Sequence, residues 1–191
     1  TINSIYIEKA LKNVERMIMI IDDLVNISML ESGELALNYK KFDINALVQE
    51  VYESLEMQAS AAQTKLAIKE GCDHVFNVYA DEKLIREVLV NLISNAIKYG
   101  NKGGFVHAGF YNMGDNILIE IADNGLGIAK EQLNRVFERF FRIEKSRSRD
   151  MGGTGLGLSI VKHIIEAHNQ NVNVRSTIGE GSTFGFTLQK A

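Results

Sequence analysis

The sequence predicts an α+β fold: a two-layer α/β sandwich with a mixed sheet covered by helices on one face, preceded by one long bundle helix. Three observations lead there. Ile7, Leu11, Val14, Ile18, Ile21 and Val25 recur at alternating steps of four and three, a heptad-like seam on a single long helix. Downstream, helical periods alternate with short runs that switch between apolar and polar residues, the pattern of helices laid on a half-buried sheet. Two such runs, residues 172–177 and 183–189, close the chain around the turn "IGEGS".

In the first helix a second seam, Met17, Ile20, Leu24 and Ile27, flanks the first, so the apolar stripe suits a helix bundle better than a two-stranded coil. "ESGE" ends this helix, with Gly33 at its C-cap. Asp43 is placed to N-cap a helix reaching residue 62, and Asp81 another reaching residue 99. Strands are expected at residues 65–69, 75–79, 105–111 and 116–122, the last two joined by Met113, Gly114 and Asp115. Residues 129–149 are charged and aromatic without a period, and helix resumes over 154–167. The reading divides the chain into residues 1–34, an incomplete helical element, and 35–191, a cored domain.

Composition narrows the function. The chain has 191 residues, 46% of them hydrophobic, and a net charge of −3, which argues against a nucleic-acid binder. It contains no apolar run of about 18 residues and no leader pattern, so it reads as a cytoplasmic piece of something longer. The single cysteine, Cys72, fits a reducing compartment.

The chemistry concentrates in "MGGTGLGLSIVKHIIEAH", where four glycines in six residues run into a helix. A glycine turn at a helix N-terminus suits phosphate, because free N–H groups and the positive end of the helix dipole face the anion. Leu158 stands where a P-loop places lysine, and the spacing G-x-G-x-x-G is not met. The loop is therefore of another kind. "HIIEAH" misses the H-x-x-E-H metal pattern by one residue, and His163 and His168 read as surface residues of the helix.

Four further segments accompany it in order: "NLISNAIKYG", "DNGLGI", "FERFFR" and "GEGSTF". Together the five resemble the N, G1, F, G2 and G3 boxes of the sensor histidine kinase catalytic domain, a branch of the superfamily that includes gyrase B, MutL and the heat-shock chaperone ATPases. The resemblance covers residues 40–190 and implies a Bergerat-type ATP-binding fold with ATP and Mg2+ as cofactors.

Asn91, Asn95 and Lys98 share one helical face. By resemblance Asn95 is the magnesium ligand, through an oxygen donor of the kind magnesium prefers, Lys98 a charge on the phosphates, and Tyr99 a packing surface for adenine or ribose. The resemblance further implies that Asp123 accepts a hydrogen bond from the adenine amino group, that Gly125, Gly127 and Ile128 let backbone approach the ring, and that Thr183 bridges to the same aspartate directly or through water. Gly153, Thr154, Gly155, Leu156 and Gly157 form the phosphate-side hinge. Five basic residues against two acids between 138 and 149 suit a lid over triphosphate, anchored by Phe137, Phe140 and Phe141 to the core or to the helical hairpin of the partner domain, with Arg142 reaching the γ-phosphate or that hairpin.

Hydrolysing members of the superfamily resemble one another in placing a glutamate one turn before the magnesium asparagine. Here that position is Asn91, and an amide cannot act as general base. The resemblance thus implies a kinase, with a homodimer formed through a helical hairpin and a response regulator receiver domain as partner. Its acceptor histidine is followed by an acid, whereas His74, His107, His163 and His168 precede Val, Ala, Ile and Asn. The expectation is a chain that lacks the acceptor and binds ATP or ADP without autophosphorylation, with any inner-membrane anchor in upstream segments of the full protein.

Overall fold

The computed structural model describes residues 2–33, 36–72, 74–143 and 154–191, with the side chains of residues 2–5, 9, 12 and 16 left out of the description. The element order is α1 (Ile2–Ser32), β1 (Lys40–Asp43), α2 (Ile44–Ala62), β2 (Lys65–Ile68), β3 (Asn77–Ala80), α3 (Glu82–Tyr99), β4 (Phe105–Asn112), β5 (Asn116–Asp123), α4 (Gly157–Ala167), β6 (Val172–Thr177) and β7 (Gly181–Gln189). A 3-10 turn, Lys130–Gln132, follows β5.

Five strands form one mixed sheet in the order β2-β4-β5-β7-β6, parallel between β2 and β4 and antiparallel elsewhere. Its strands obey the period of two. Ile117, Ile119 and Ile121 of β5 and Phe184, Phe186 and Leu188 of β7 are buried, while Leu118, Glu120, Thr183 and Thr187 between them are only partly covered. The buried face meets α2, α3 and α4, which lie side by side. A wholly buried ring such as Phe186 is worth about 3–5 kcal/mol against truncation to alanine.

Two aspartates set the starts of α2 and α3. Asp43 accepts the N–H of Asn45 (3.1 Å) and of Phe76 (2.9 Å), and Asp81 accepts those of Lys83 (3.1 Å) and Leu84 (3.2 Å). Gly33 follows α1 with φ +69°, the left-handed cap expected of it.

Some boundaries differ from expectation. β1 was not foreseen; it exists as the antiparallel partner of β3, and this two-stranded sheet touches the end of β7 through the bridge Val78–Lys190. The third strand begins at Asn77 rather than Val75, whose side chain is 61% exposed. α4 begins at Gly157, because Gly155 before it takes φ +76°, outside the helical region. α1 packs on α4, with Ile27 and Leu30 of its last turns buried and Ile20 and Leu24 partly covered. The junction residues 34 and 35 lie outside the described residues, as do Gly153, Lys145, Arg147 and Arg149. Among the described residues no helix is long and apolar enough to cross a membrane.

Candidate functional site

The site is built where three segments converge on the helix side of the sheet. α3 supplies the first. Its buried stripe, Ile85, Val88, Leu89, Leu92, Ile93, Ala96 and Ile97, presses on the sheet, which leaves Asn91, Asn95 and Lys98 half-buried on the flank. Asn91 Nδ2 donates to Glu87 O of its own helix (3.0 Å). Its Oδ1 is turned toward α4, 2.7 Å from where a Cβ on Gly157 would stand, with Asn95 Nδ2 3.9 Å from that point. The expected asparagine pair and the expected phosphate hinge are therefore neighbours. Lys98 Nζ lies over the Tyr99 ring at 5.1 Å. Tyr99 is 40% exposed, and its carbonyl accepts the N–H of Leu126 (3.3 Å).

The second segment leaves β5 at Asp123. The Asp123 carboxylate accepts the Gly125 N–H at 2.7 Å and a backbone bond from Ser182. Burial pushes its pKa above the usual carboxylate range, against the opposing pull of those two bonds. Gly125 is packed so closely that a Cβ there would fall 2.4 Å from Tyr99 O and 2.8 Å from Asp123 Oδ1. Gly127 combines φ +71° with an even tighter approach, 2.0 Å from Thr177 O, so neither space nor backbone conformation admits a side chain. Ile128 is buried, and its N–H donates to Ser176 Oγ (2.8 Å).

Thr183 is not where its expected role requires. It pairs with Ala122 and Arg175, whereas Ser182 pairs with Asp123. Because side chains alternate across the pleat, Ser182 shares the buried face with Asp123 and Thr183 points to the other face. The register thus puts the serine beside the aspartate.

The third segment is the approach to α4. Thr154 Oγ1 accepts the Leu156 N–H (3.2 Å), and Leu156 is wholly buried. Leu156 occupies the N-cap position without a side-chain cap bond, so no side chain there takes up the first-turn N–H groups of this eleven-residue helix. Phe140 N–H donates to Gly155 O (2.9 Å), tying the aromatic segment to the hinge. Phe137 stands edge-on to Phe184 at 6.2 Å and Phe141 packs on the core, as expected of anchors; Phe140 does not, being 55% exposed with φ +61°. Arg142 is half-buried near the end of the described segment.

Residues 80–191 match the family described as histidine kinase-, DNA gyrase B- and HSP90-like ATPase. The chain belongs to that family. Among its relatives, the sensor-like histidine kinase SenX3 of Mycolicibacterium smegmatis is 37% identical over 183 residues, 96% of this chain and 47% of SenX3. The solved structure of the Acinetobacter baumannii histidine kinase AdeS has a TM-score of 0.78 at 29% identity, covering 96% of this chain and 83% of that one. Full-length ShkA, solved in complex with AMPPNP, has a TM-score of 0.81 at 25% identity, covering 94% of this chain and 37% of that one. The chain is the ATP-binding catalytic domain of a sensor histidine kinase with one preceding helix, and spans less than half the length of SenX3.

In this histidine kinase domain both histidines of "HIIEAH" depart from the surface reading. His168 is buried: its Nδ1 lies 2.7 Å from Ile164 O and its Nε2 accepts the Asp81 N–H at 3.0 Å, which assigns the neutral Nδ1–H tautomer. Burial pushes its pKa below the usual histidine range. The His163 side chain is 18% exposed, with Nε2 3.4 Å from Glu31 Oε1. Neither partnership has a local signal, since Asp81 and Glu31 are 87 and 132 residues away in sequence. Among the described residues there is no group of three or more His, Cys, Asp or Glu able to hold a metal ion.

Proposed function

We propose that this domain holds ATP with Mg2+ between α3, the 123–128 turn and the start of α4, and that in the full protein it donates the γ-phosphoryl group to a histidine outside this chain and thence to a response regulator receiver domain. The observation that carries this is Asp123: a half-buried carboxylate, placed by the end of β5 beside a glycine too crowded for any side chain, whose oxygens can accept a further hydrogen bond. An adenine amino group can donate one. The AMPPNP bound in the ShkA structure supports a nucleotide on this fold.

In this reading Asp123 accepts from the adenine amino group and Ser182 stands beside it. Gly125, Gly127 and Ile128 form the turn around the base. Lys98 and the first-turn N–H groups after Leu156 face the phosphates. Asn95 offers its amide oxygen to magnesium, which when bound neutralises phosphate charge and orients it for transfer. The residues present suit that ion, since the donors here are amides and backbone rather than a carboxylate cage. Arg142 reaches the γ-phosphate. Asn91 holds position against α4 and takes no proton, so water is not activated and ATP is kept for transfer. In this reading α1 is the second helix of a dimerisation hairpin, and a homodimer buries its apolar seam.

Incubation with ATP labelled at the γ-position tests this directly. The chain is expected to retain no acid-labile label and to release no steady phosphate. Acid-labile label on the chain contradicts the missing acceptor, and sustained phosphate release contradicts the kinase assignment.

A further inference from the structure

Glu31, in the last turn of α1, joins three elements that are remote in sequence. One of its carboxylate oxygens, Oε1, is ion-paired with Arg139 and stands 3.4 Å from His163 Nε2 on α4. Ile27, one turn earlier on the same helical face, and Leu30, next to Glu31 in sequence, are buried in the core, so the turn that carries Glu31 is itself fixed. Arg139 directly precedes Phe140, whose left-handed backbone (φ +61°) donates its N–H to Gly155 O at 2.9 Å. Gly155 takes φ +76° with the Phe140 backbone 3.0 Å from its missing Cβ, and two residues later Gly157 meets Asn91. Glu31 therefore grips α4 twice, along the helix through His163 and ahead of its N-terminus through Arg139, Phe140 and Gly155.

We propose that Glu31 is a positioning residue for the nucleotide site, setting the approach to α4 according to where the last turn of α1 lies. This rests on the reading that the N-terminus of α4 receives the phosphates. Linkage makes the effect reciprocal: bound nucleotide strengthens the hold on α1 to the same degree that the hold strengthens nucleotide binding.

The test is the affinity of the 191-residue chain for Mg-ADP by calorimetry, in low salt and in 0.5 M salt, for wild type and for Glu31→Gln, Glu31→Asp, Arg139→Gln, the Glu31→Gln/Arg139→Gln double variant and Glu50→Gln. Glu50→Gln removes an ion pair of similar exposure, with Arg86, away from the hinge. In low salt Glu31→Gln is expected to weaken binding about two- to fivefold, the range of a partly exposed ion pair. Glu31→Asp restores most of the loss, Arg139→Gln matches it without adding to it in the double variant, and Glu50→Gln changes nothing. In high salt the wild type approaches the Gln variant. The inference is overturned when wild type binds nucleotide and Glu31→Gln binds it equally well, or when Glu31→Gln and Glu50→Gln weaken it alike. A wild-type chain that binds no nucleotide overturns the functional reading itself, and this inference with it.

Discussion

Gly157 opens α4 against Asn91 of α3, with a Cβ at that glycine only 2.7 Å from Asn91 Oδ1. The nearest group is the end of a side chain, so alanine is accommodated by turning the amide rather than by moving backbone. Helix propensity alone favours alanine over glycine by about 0.5–1 kcal/mol. Gly157→Ala is therefore expected to leave stability in urea within about 0.5 kcal/mol of wild type. The same variant should weaken nucleotide binding at least several-fold, because the Asn91 amide is displaced.

His168 links the end of α4 to the start of α3, accepting the Asp81 N–H at Nε2. Protonation at Nε2 sets two donors face to face. Since burial lowers its folded-state pKa, the unfolded chain binds the proton more readily, and stability is lost as pH falls below about 6.5. The loss approaches at most about 1.4 kcal/mol per pH unit from this group. His168→Gln keeps a neutral side chain at every pH. Urea denaturation from pH 7.5 to 5.5 should show wild type losing stability relative to that variant.

Asp123 has the opposite sign. Its pKa is raised on folding, chiefly by burial, so the folded state holds the proton more tightly and stability falls as pH rises from the ordinary aspartate value, about 3.9, through the raised one. At neutral pH the ionised carboxylate is a cost to the nucleotide-free fold. Asp123→Asn is accordingly expected to be at least as stable as wild type at pH 7 without nucleotide, and to lack this slope. A lower thermal midpoint for the variant would assign Asp123 a structural role instead.

On α1, Ile7, Leu11, Val14, Ile18, Ile21 and Val25 are 51–61% exposed along one seam. A stripe of that length associates in water. Sedimentation of the chain is expected to show concentration-dependent self-association, reduced by Ile18→Glu. A monomer at high concentration contradicts the dimerising role proposed for this helix.

Legibility in the sequence followed the range of the interactions. α3, β4 and β5 were readable because long periodic runs and the Asp81 cap are local signals. β1 was not, because four residues at the surface become a strand only by pairing with β3. In the site, the asparagine helix, the Asp123 turn and the glycine hinge were named from residue type and order, and the structure brings Asn91 to Gly157 and Asp123 to Gly125. Ser182 was passed over for Thr183 because a one-residue difference in register reverses the face, and register is fixed by the pairing with β5 rather than by the motif. The aromatic segment contains three phenylalanines that look alike, yet Phe140 contributes its backbone and not its ring. Glu31, His163 and His168 depend on contacts across the whole chain and left no pattern to read.

In the proposed function Asp123 receives the adenine of a magnesium-bound nucleotide. Titration calorimetry of Mg-ADP into wild type and Asp123→Asn tests it most directly. Wild type is expected to bind one nucleotide per chain and the variant to lose about 1.5–3 kcal/mol of binding, the range of a charge-assisted hydrogen bond. Equal affinities in the two proteins would remove Asp123 from the adenine site.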